Sequence, residues 1–585
     1  MAGDLTPIRG ALRLRRLLRE IRRRRVWQVA GAYAVVAWLV VEIVLTSLDV
    51  LGFPHWTSTL VLVAAFAGLP VAIVLSWVFD LTPGGVRRTP PLPVSPPLPA
   101  LPVVAVLPFE AAGAGQSAGW LADGLTEDVT TQLTKLGRLR VISRASTMRI
   151  GARADSTREI ALLLGATAVV TGSVREHGGR VRITANLVDA ASDQHLWADS
   201  YEQSLDDLFG LQSELSLRIA RALRAEITAE ERSRLARPAT ADLEAQRAYL
   251  SGRARLFDMT EDALKSAIHH LRRAVELDPS FATAHADTAF AYALLGMGFG
   301  AGGLTPQEAF ACAWREAEAA VRIDPGLGRA HSVLALLNFQ SRFDWEAAER
   351  ECRTAIELSP GEGFGHAVYG LCLSAQGRYE EAIREQTLTL QLDPLTPTSW
   401  SDLATTFLRA GRYAEAQRLA RRLLELEPGF LMAHTTLAWS LILSGDVADG
   451  MAELEYAVLL APENVKFRAQ LGQARAMTAD TAGAREVLAD LEALRRHRHV
   501  SPYHLAYVYT GLGLLDDALD LLEQAYSERS GGIYGVGGSF LFAPLRDHPR
   551  FRRLLARMNL HPLDELPSPA NGGKPAAADQ PAPIA

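Results

Sequence analysis

The sequence predicts a multidomain chain: a two-helix transmembrane hairpin, then a small α/β domain, then an all-α superhelix of helical repeats. Three observations carry this. Two apolar runs, 27–48 and 58–79, stand close together near the start, flanked by arginine. A stretch of about 130 residues then alternates strand-like and helix-like patterns. In the second half, prolines recur at 279, 325, 360, 394, 428 and 462, with intervals that settle to 34 residues. A chain of 585 residues is too long for one ordinary core.

The hairpin comes first. Residues 27–48 (WQVAGAYAVVAWLVVEIVLTSL) are long and apolar enough to span a bilayer as a helix, and 58–79 provide a second span. Trp27, Trp56 and Trp77 stand near the predicted ends, where indoles favour the interface. No cleavable leader is expected, because the apolar region is too long and a second span follows it. From Arg13 to Arg25 there are eight arginines and one acid, Glu20. Arg22, Arg23, Arg24 and Arg25 precede the first span, Arg87 and Arg88 follow the second, and the bend between holds no Lys or Arg. Positive charge stays cytoplasmic, so residues 1–26 and the region after the hairpin (27–80) are expected in the cytoplasm. Glu42 lies inside the first span and is a candidate intramembrane polar contact, read as a protonated acid hydrogen-bonding the other helix. Half of the residues in 89–102 are proline, which reads 81–102 as a polyproline-type spacer.

Residues 103–236 read in the order strand, helix, strand, helix, three strands, helix. VVAVLPF is a buried-type strand, a helix covers 118–136, and LRVIS (139–143) is a strand. Ser156 and Glu159 match a capping box that opens a helix ending at Gly165. His177-Gly178-Gly179 is a hairpin signal. After it Val181, Ile183, Ala185 and Leu187 face one way and Arg180, Arg182, Thr184 and Asn186 the other, so this strand is half-buried. HLWADSYEQ supplies its partner, and Leu208–Ala236 reads as one long amphipathic helix.

The blocks VAVLPF, WLADGLTEDVTTQL, LRVISRAS, REIALLLGATAVVTGSVRE and RVRITANLVDAASDQHLWADSYEQSLDDLFGLQSEL, in this order, resemble the TolB amino-terminal-like domain. The resemblance implies a bacterial α/β fold of anticodon-binding type without established catalysis. Such domains stand beside repeat arrays, kinases or nucleotide cyclases.

The period of 34 identifies the second half (240–530) as a tetratricopeptide repeat array of about eight units. A Gly-rich insertion at 296–303 accounts for the long first interval of 46. Small residues fall where the helices of a unit cross: Ala382, Ala416 and Gly450 in the second helices, Gly370, Ala404 and Ala438 in the first. Two weaker units follow, around 471–494 and 505–526. His285, His331, His366 and His434 all stand six residues after their prolines, with Trp400 in the same slot. Successive repeats are about 10 Å apart, whereas zinc needs ligands at about 2 Å. The ladder is therefore packing, and Trp400 marks a slot for a ring. Residues 531–561 are expected to cap the last helix pair, and 562–585 form a Pro/Ala/Gly-rich tail.

Enzyme readings are weak. Gly115-Gln116-Ser117-Ala118-Gly119 matches G-x-S-x-G, and Ser117 as a hydrolase nucleophile is the enzymatic alternative. The turn is too far from its strand, and the domain's histidines, His177 and His195, sit in or beside a hairpin. The glycine spacing departs from the dinucleotide pattern by one residue. Cys312, Cys352 and Cys372 are too scattered for a disulfide framework or a thiolate zinc site. The net charge of −6 gives no case for nucleic acid. The expectation is a non-enzyme without cofactor or metal, in the bacterial inner membrane as a multi-pass protein with a cytoplasmic soluble region. It binds protein partners through the concave groove of the array, as a scaffold in signalling or regulation. An accessory role to a cyclase or a transcription regulator is the third reading, and a homo-oligomer is left open.

Overall fold

The computed structural model describes residues 79–82, 85–88, 101–112, 118–150, 156–177, 180–204, 208–223, 225, 227–235, 239–256, 261–299, 304–530 and 532–561. The predicted spans at 27–48 and 58–78, and with them Arg22 to Arg25 and Glu42, lie outside these residues. Among the described residues no helix is long and apolar enough to cross a membrane.

The chain divides into two units, residues 1–97 with 578–585, and residues 98–577. In the first, β1 (Phe79–Thr82) pairs antiparallel with β2 (Gly85–Arg88), Phe79 opposite Arg88 and Thr82 opposite Gly85. This corrects the reading of 79 as the end of a span and of 81–88 as spacer. Phe, Leu, Thr and Val are strand formers, and Pro83-Gly84 is a turn dipeptide between them. Arg87 and Arg88 are therefore strand residues.

The second unit begins with the α/β domain. Its sheet runs in the order β5 (Arg140–Val141), β3 (Val103–Val106), β6 (Ala168–His177), β7 (Arg180–Asp189), β8 (His195–Ser204), and β4 (Glu110–Ala111) pairs with the far part of β6. β3 is parallel to both neighbours, and β6, β7 and β8 are antiparallel. Helices α1 (Ala118–Thr134) and α4 (Leu208–Ala222) bury Val129, Leu133, Leu215 and Ile219 against Val104, Val170, Val181 and Ile183 on one sheet face. On the other face α2 (Arg144–Ile150) and α3 (Thr157–Leu164) cover Ala105 and Val169. Ser156 accepts a hydrogen bond from the Glu159 N–H and opens α3, and Gly165 closes it at φ 65°.

The helix predicted over 208–236 is two. It ends at Ala222, and α5 (Ala229–Leu235) starts anew. Thr228 is the reason: its hydroxyl accepts from the Glu231 N–H at 3.1 Å, and the Glu231 carboxylate accepts from the Thr228 N–H at 2.7 Å. A reciprocal cap of this kind fixes a helix start.

Eight antiparallel helix pairs follow among the described residues, here called repeats 1 to 8. Their first helices are Leu243–Leu256, Ala282–Leu294, Gly328–Leu337, Gly363–Ala375, Pro397–Arg409, Leu431–Ser444, Val465–Met477 and Pro502–Gly511. Their second helices are Glu261–Leu277, Pro306–Ile323, Trp345–Leu358, Tyr379–Leu392, Tyr413–Leu426, Val447–Leu460, Thr481–Arg495 and Leu515–Glu528. This is a tetratricopeptide-type superhelix. Repeat 3 spans 35 residues from proline to proline and carries a π turn at Asn338–Arg342. An i→i+5 turn takes up one extra residue without breaking the helix. Within repeat 6, a Cβ on Gly450 would lie 2.7 Å from the Ala438 carbonyl and 2.6 Å from Ile442. The helices cross there at a distance only glycine allows.

Candidate interaction site

The array closes on itself. Phe343, after the first helix of repeat 3, stacks on Tyr526 of repeat 8 with centroids 5.5 Å apart, and Gln307 of repeat 2 donates to the Ser527 carbonyl at 2.6 Å. The face lined by the first helices is thereby turned inward. Residues 532–560 fill much of it, as two 3₁₀ turns (Ile533–Gly535, Phe540–Leu545) and helix α6 (Pro549–Arg557). Tyr534 meets Phe339 of repeat 3 at 5.3 Å, Phe540 meets Trp439 of repeat 6 at 5.2 Å, and Phe542 sits 5.5 Å from Tyr503 and 5.4 Å from Tyr507 of repeat 8. Backbone carbonyls are read as well. Gln473 of repeat 7 donates to Leu541 O at 2.6 Å, and the Trp345 indole of repeat 3 donates to Met558 O at 2.8 Å. Val536, Phe542, Leu545 and Met558 are fully buried.

Two expectations change here. The segment is more than a cap on the last pair, since it touches repeats 3, 6 and 7 besides repeat 8. The groove expected to receive partners is occupied by this chain. The physical reason is composition: GGIYGVGGSFLFAPL is glycine-rich enough to thread a narrow space and apolar enough to be held there.

The α/β domain is docked on the proline-bearing edge of the array. The Ser143 N–H donates to Leu392 O at 2.8 Å. Asp393, just before Pro394, accepts from the hydroxyls of Ser143 and Ser146, and Ser146 in turn accepts from the Leu395 N–H at 2.9 Å. The Gly361 N–H reaches Thr134 O at 3.3 Å, and a Cβ there would meet the Thr134 backbone at 3.2 Å.

A buried ionic network lies where α1 meets repeats 1 to 3. Asp287 is fully buried and accepts from Arg329, from Arg253 at 2.8 Å and from the Tyr249 hydroxyl at 3.1 Å. Arg253 continues to Glu127 of α1 at 2.7 Å, and Arg329 lies over Phe364 at 4.7 Å. Burial alone would push the Asp287 carboxyl up; the Arg329 and Arg253 guanidiniums outweigh it and hold the group below the usual carboxylate range. Next to Glu127, Asp128 is pushed up to about 7, first by burial and then by Glu127, although Gln246 donates to it at 3.1 Å. Asp128 borders a crevice of about 30 Å³ with Trp120, Gly124, Val181 and Gln246. That is room for one or two water molecules, too little for a nucleotide or any other substrate of that size.

The histidine ladder is structural. His285, His331, His366 and His434 each bond through Nδ1 to a glutamate of the second helix of the same repeat (Glu316, Glu351, Glu385 and Glu453), at 2.6 to 2.7 Å. Three of them also reach the proline carbonyl six residues back, and Trp400 does the same, donating to Pro394 O at 2.8 Å. Among the described residues no group of His, Cys, Asp and Glu is arranged to hold a metal ion. Of the small positions, Gly370 faces Gln386 and the Ala382 carbonyl, while Ala404, Ala416 and Ala438 are buried at their crossings. Ser117 lies outside the described residues, between β4 and α1 in the sequence. His177 ends β6 and His195 starts β8. Asp287, Arg253, Arg329 and the inward segment 532–560 were missed from sequence; the signal for Asp287 was an acid in a helix position that is valine in repeats 3 and 4 (Val333, Val368).

No family model matches the chain. It is 36% identical over 168 residues to a protein of Rhizobium meliloti (strain 1021) provisionally named adenylate cyclase 3, a stretch covering 29% of each chain. The chain thus spans under a third of that relative's length. Among solved structures it is similar to Pseudomonas aeruginosa pilF at 22% identity, covering 37% of this chain and 95% of that one with a TM-score of 0.28. It is also similar to TolB from Acinetobacter baumannii at 20% identity, covering 22% of this chain and 29% of that one with a TM-score of 0.17.

Proposed function

We propose that the chain is a non-catalytic scaffold, anchored in the bacterial inner membrane through 27–48 and 58–78. Its TolB-like α/β domain and its repeat array together form one cytoplasmic recruitment body. Partners then dock on the outside of the array, because its own segment holds the inside. The observation that carries this is the second helix of repeat 6. It turns Val447, Tyr456, Leu459 and Leu460 outward, with Leu459 74% exposed. In repeat 5 the positions of Tyr456 and Leu459 are Arg422 and Glu425, which pair with each other at 2.8 Å. An apolar row on an otherwise charged surface is the mark of a protein contact.

The test is proximity labelling in cells with the full chain and with Leu459→Asp. The variant is expected to lose a subset of labelled proteins at unchanged abundance. An identical labelling profile would remove the basis for the proposal. A reporter fused after residue 560 and active only in the periplasm would overturn the arginine argument for topology.

A second reading has a specific support, the identity shared with the Rhizobium meliloti relative. On that reading the labelled partner is a nucleotide cyclase or its regulator.

A further inference from the structure

The first helices of repeats 2 to 7 start at 282, 328, 363, 397, 431 and 465, which fixes equivalent positions along the inner face. One column reads Asp287, Val333, Val368, Asp402, Thr436, Gln470. Its neighbour reads Thr283, Arg329, Phe364, Thr398, Met432, Lys466. A third reads Phe290, Leu336, Leu371, Thr405, Trp439, Gln473. Apart from Arg329 the three columns are apolar in repeats 3 and 4, and apart from Met432 and Trp439 they are polar over repeats 5 to 7.

The two aspartates of the first column differ in one respect. Asp287 is answered by Arg329, which stands in the second column of the very next repeat. Asp402 has Met432 in that place, and the cation Lys466 arrives one repeat later. Lys466 leans back, its Nζ resting 3.1 Å from the Met432 sulfur. Arg409, two turns along from Asp402 on the same helix, lies against Gly535, where a Cβ would be 3.1 Å from its guanidinium. Asp402, Arg409 and Lys466 interact electrostatically. Yet among the described residues none of them makes an ion pair, and Asp402 accepts no hydrogen bond. All three side chains are partly accessible. On the same inner face, in repeats 6 and 7, the Trp439 indole N–H, Gln470 Oε1 and Gln473 Oε1 are buried without a partner. These residues are 2%, 7% and 1% exposed. Buried polar atoms in a folded protein are normally satisfied, so a cluster of orphans beside unpaired charges describes the complement of something bound.

We propose that this strip binds a small amino-acid-like zwitterion, its carboxylate held by Lys466, Arg409 and the Trp439 N–H and its ammonium by Asp402. The charges fit: two cations answer the ligand's carboxylate, one aspartate answers its ammonium, and the ligand adds no net charge. Residues 533–545 form the remaining wall, so the site exists only in the closed array. Gln473 already shows the chemistry of the strip, since its amide N–H holds a backbone carbonyl of that wall.

The test is calorimetric titration of the full-length chain in detergent micelles at pH 7.5 with a series of free L-amino acids. At least one is expected to bind saturably. Asp402→Asn and Lys466→Met are each expected to weaken that amino acid about tenfold or more, because a hydrogen bond to a charged group carries roughly one to two powers of ten in affinity. Leu459→Asp on the outer face should bind as wild type, which separates this site from the docking row. A second readout guards against misfolded variants: Trp439 fluorescence in the wild-type chain should shift on saturation, and the shift should be absent in Trp439→Phe. Failure of every amino acid to bind saturably, or undiminished binding by both Asp402→Asn and Lys466→Met, overturns the proposal.

Discussion

Phe542→Ala measures whether the segment inside the array belongs to its core. Phe542 is 1% exposed and packs between Tyr503 and Tyr507 at ring distances of 5.5 and 5.4 Å. Removing a buried phenyl ring typically costs about 3–5 kcal/mol, from lost transfer energy and the cavity left behind. At about 1.4 kcal/mol per power of ten, opening of the segment should become roughly a hundred to a few thousand times more frequent. Hydrogen exchange on the full chain reads this directly, because amides protected by the segment exchange through that opening. The informative amides are in repeat 3, far from residue 542 in sequence, where the Trp345 indole donates to Met558 O. Their faster exchange, together with that of repeats 6 to 8, is the expected result. Acceleration confined to repeat 8 would reduce the segment to an end cap and refute the closed array. Trp345→Phe provides the independent check: it leaves one buried carbonyl without its donor, at about 1–3 kcal/mol, and should loosen the same segment from the other end.

Three further outcomes are expected. Arg329→Met should destabilise the chain by about 3–5 kcal/mol in denaturant titration, because Asp287 stays buried with one of its two guanidiniums gone. In the wild type Asp287, held low, stabilises above its unfolded pKa and loses that contribution as pH falls through its folded value; Arg329→Met should flatten this acid limb. Both ring nitrogens of His331 face oxygen acceptors, Glu351 at 2.6 Å and Pro325 O at 3.0 Å, so only the imidazolium donates to both. Burial pushes its pKa down, but these bonds prevail and raise it above 6.5; its contribution is full below that value and lost as pH rises through the folded pKa. His331→Gln should abolish that alkaline loss in melting scans taken from pH 6 to 9. Gly450→Ala places a methyl group 2.7 Å from Ala438 O and should cost about 1–3 kcal/mol in the same titration, an outcome that a neutral result would contradict.

The repeat period was legible because each helix pair must bury the same face against its neighbours, which forces small and apolar residues to recur every 34 positions. Strand β7 was legible for a similar reason, as one solvated face imposes alternation on it. The break at Thr228 was written in the sequence as Thr-x-x-Glu, yet the surrounding helical pattern concealed it. The π turn in repeat 3 was visible only as an interval of 35 in place of 34. The inward course of residues 532–560 was not legible; the sequence reads them as a cap on the last pair. These residues carry no period, and what they pack against is assembled from repeats up to about two hundred residues away in sequence. Nothing local in Trp345 or Met558 indicates that they meet.

Closure changes what an inner-face residue means. In an open array, a polar side chain on the concave side is wetted and needs no explanation. Once repeats 2 and 3 reach repeat 8 and residues 532–560 enter, that side becomes interior, and every polar atom on it must find a partner or lower stability. In repeats 1 to 3 the charges answer one another: Asp287 is closed off by two arginines and a tyrosine, and Arg329 lies against two phenylalanines and the aspartate, although its Nη2 is left without a partner. In repeats 5 to 7 the charges do not: among the described residues Asp402 and Lys466 make no ion pair, and Trp439, Gln470 and Gln473 each carry a buried atom without a partner. A chain that can satisfy one aspartate of a column with its own arginine has the means to satisfy the next in the same way. Met432 stands where that second arginine would be. Leaving the site unpaired lowers stability in the empty protein, and the compensation for such a loss is ordinarily function.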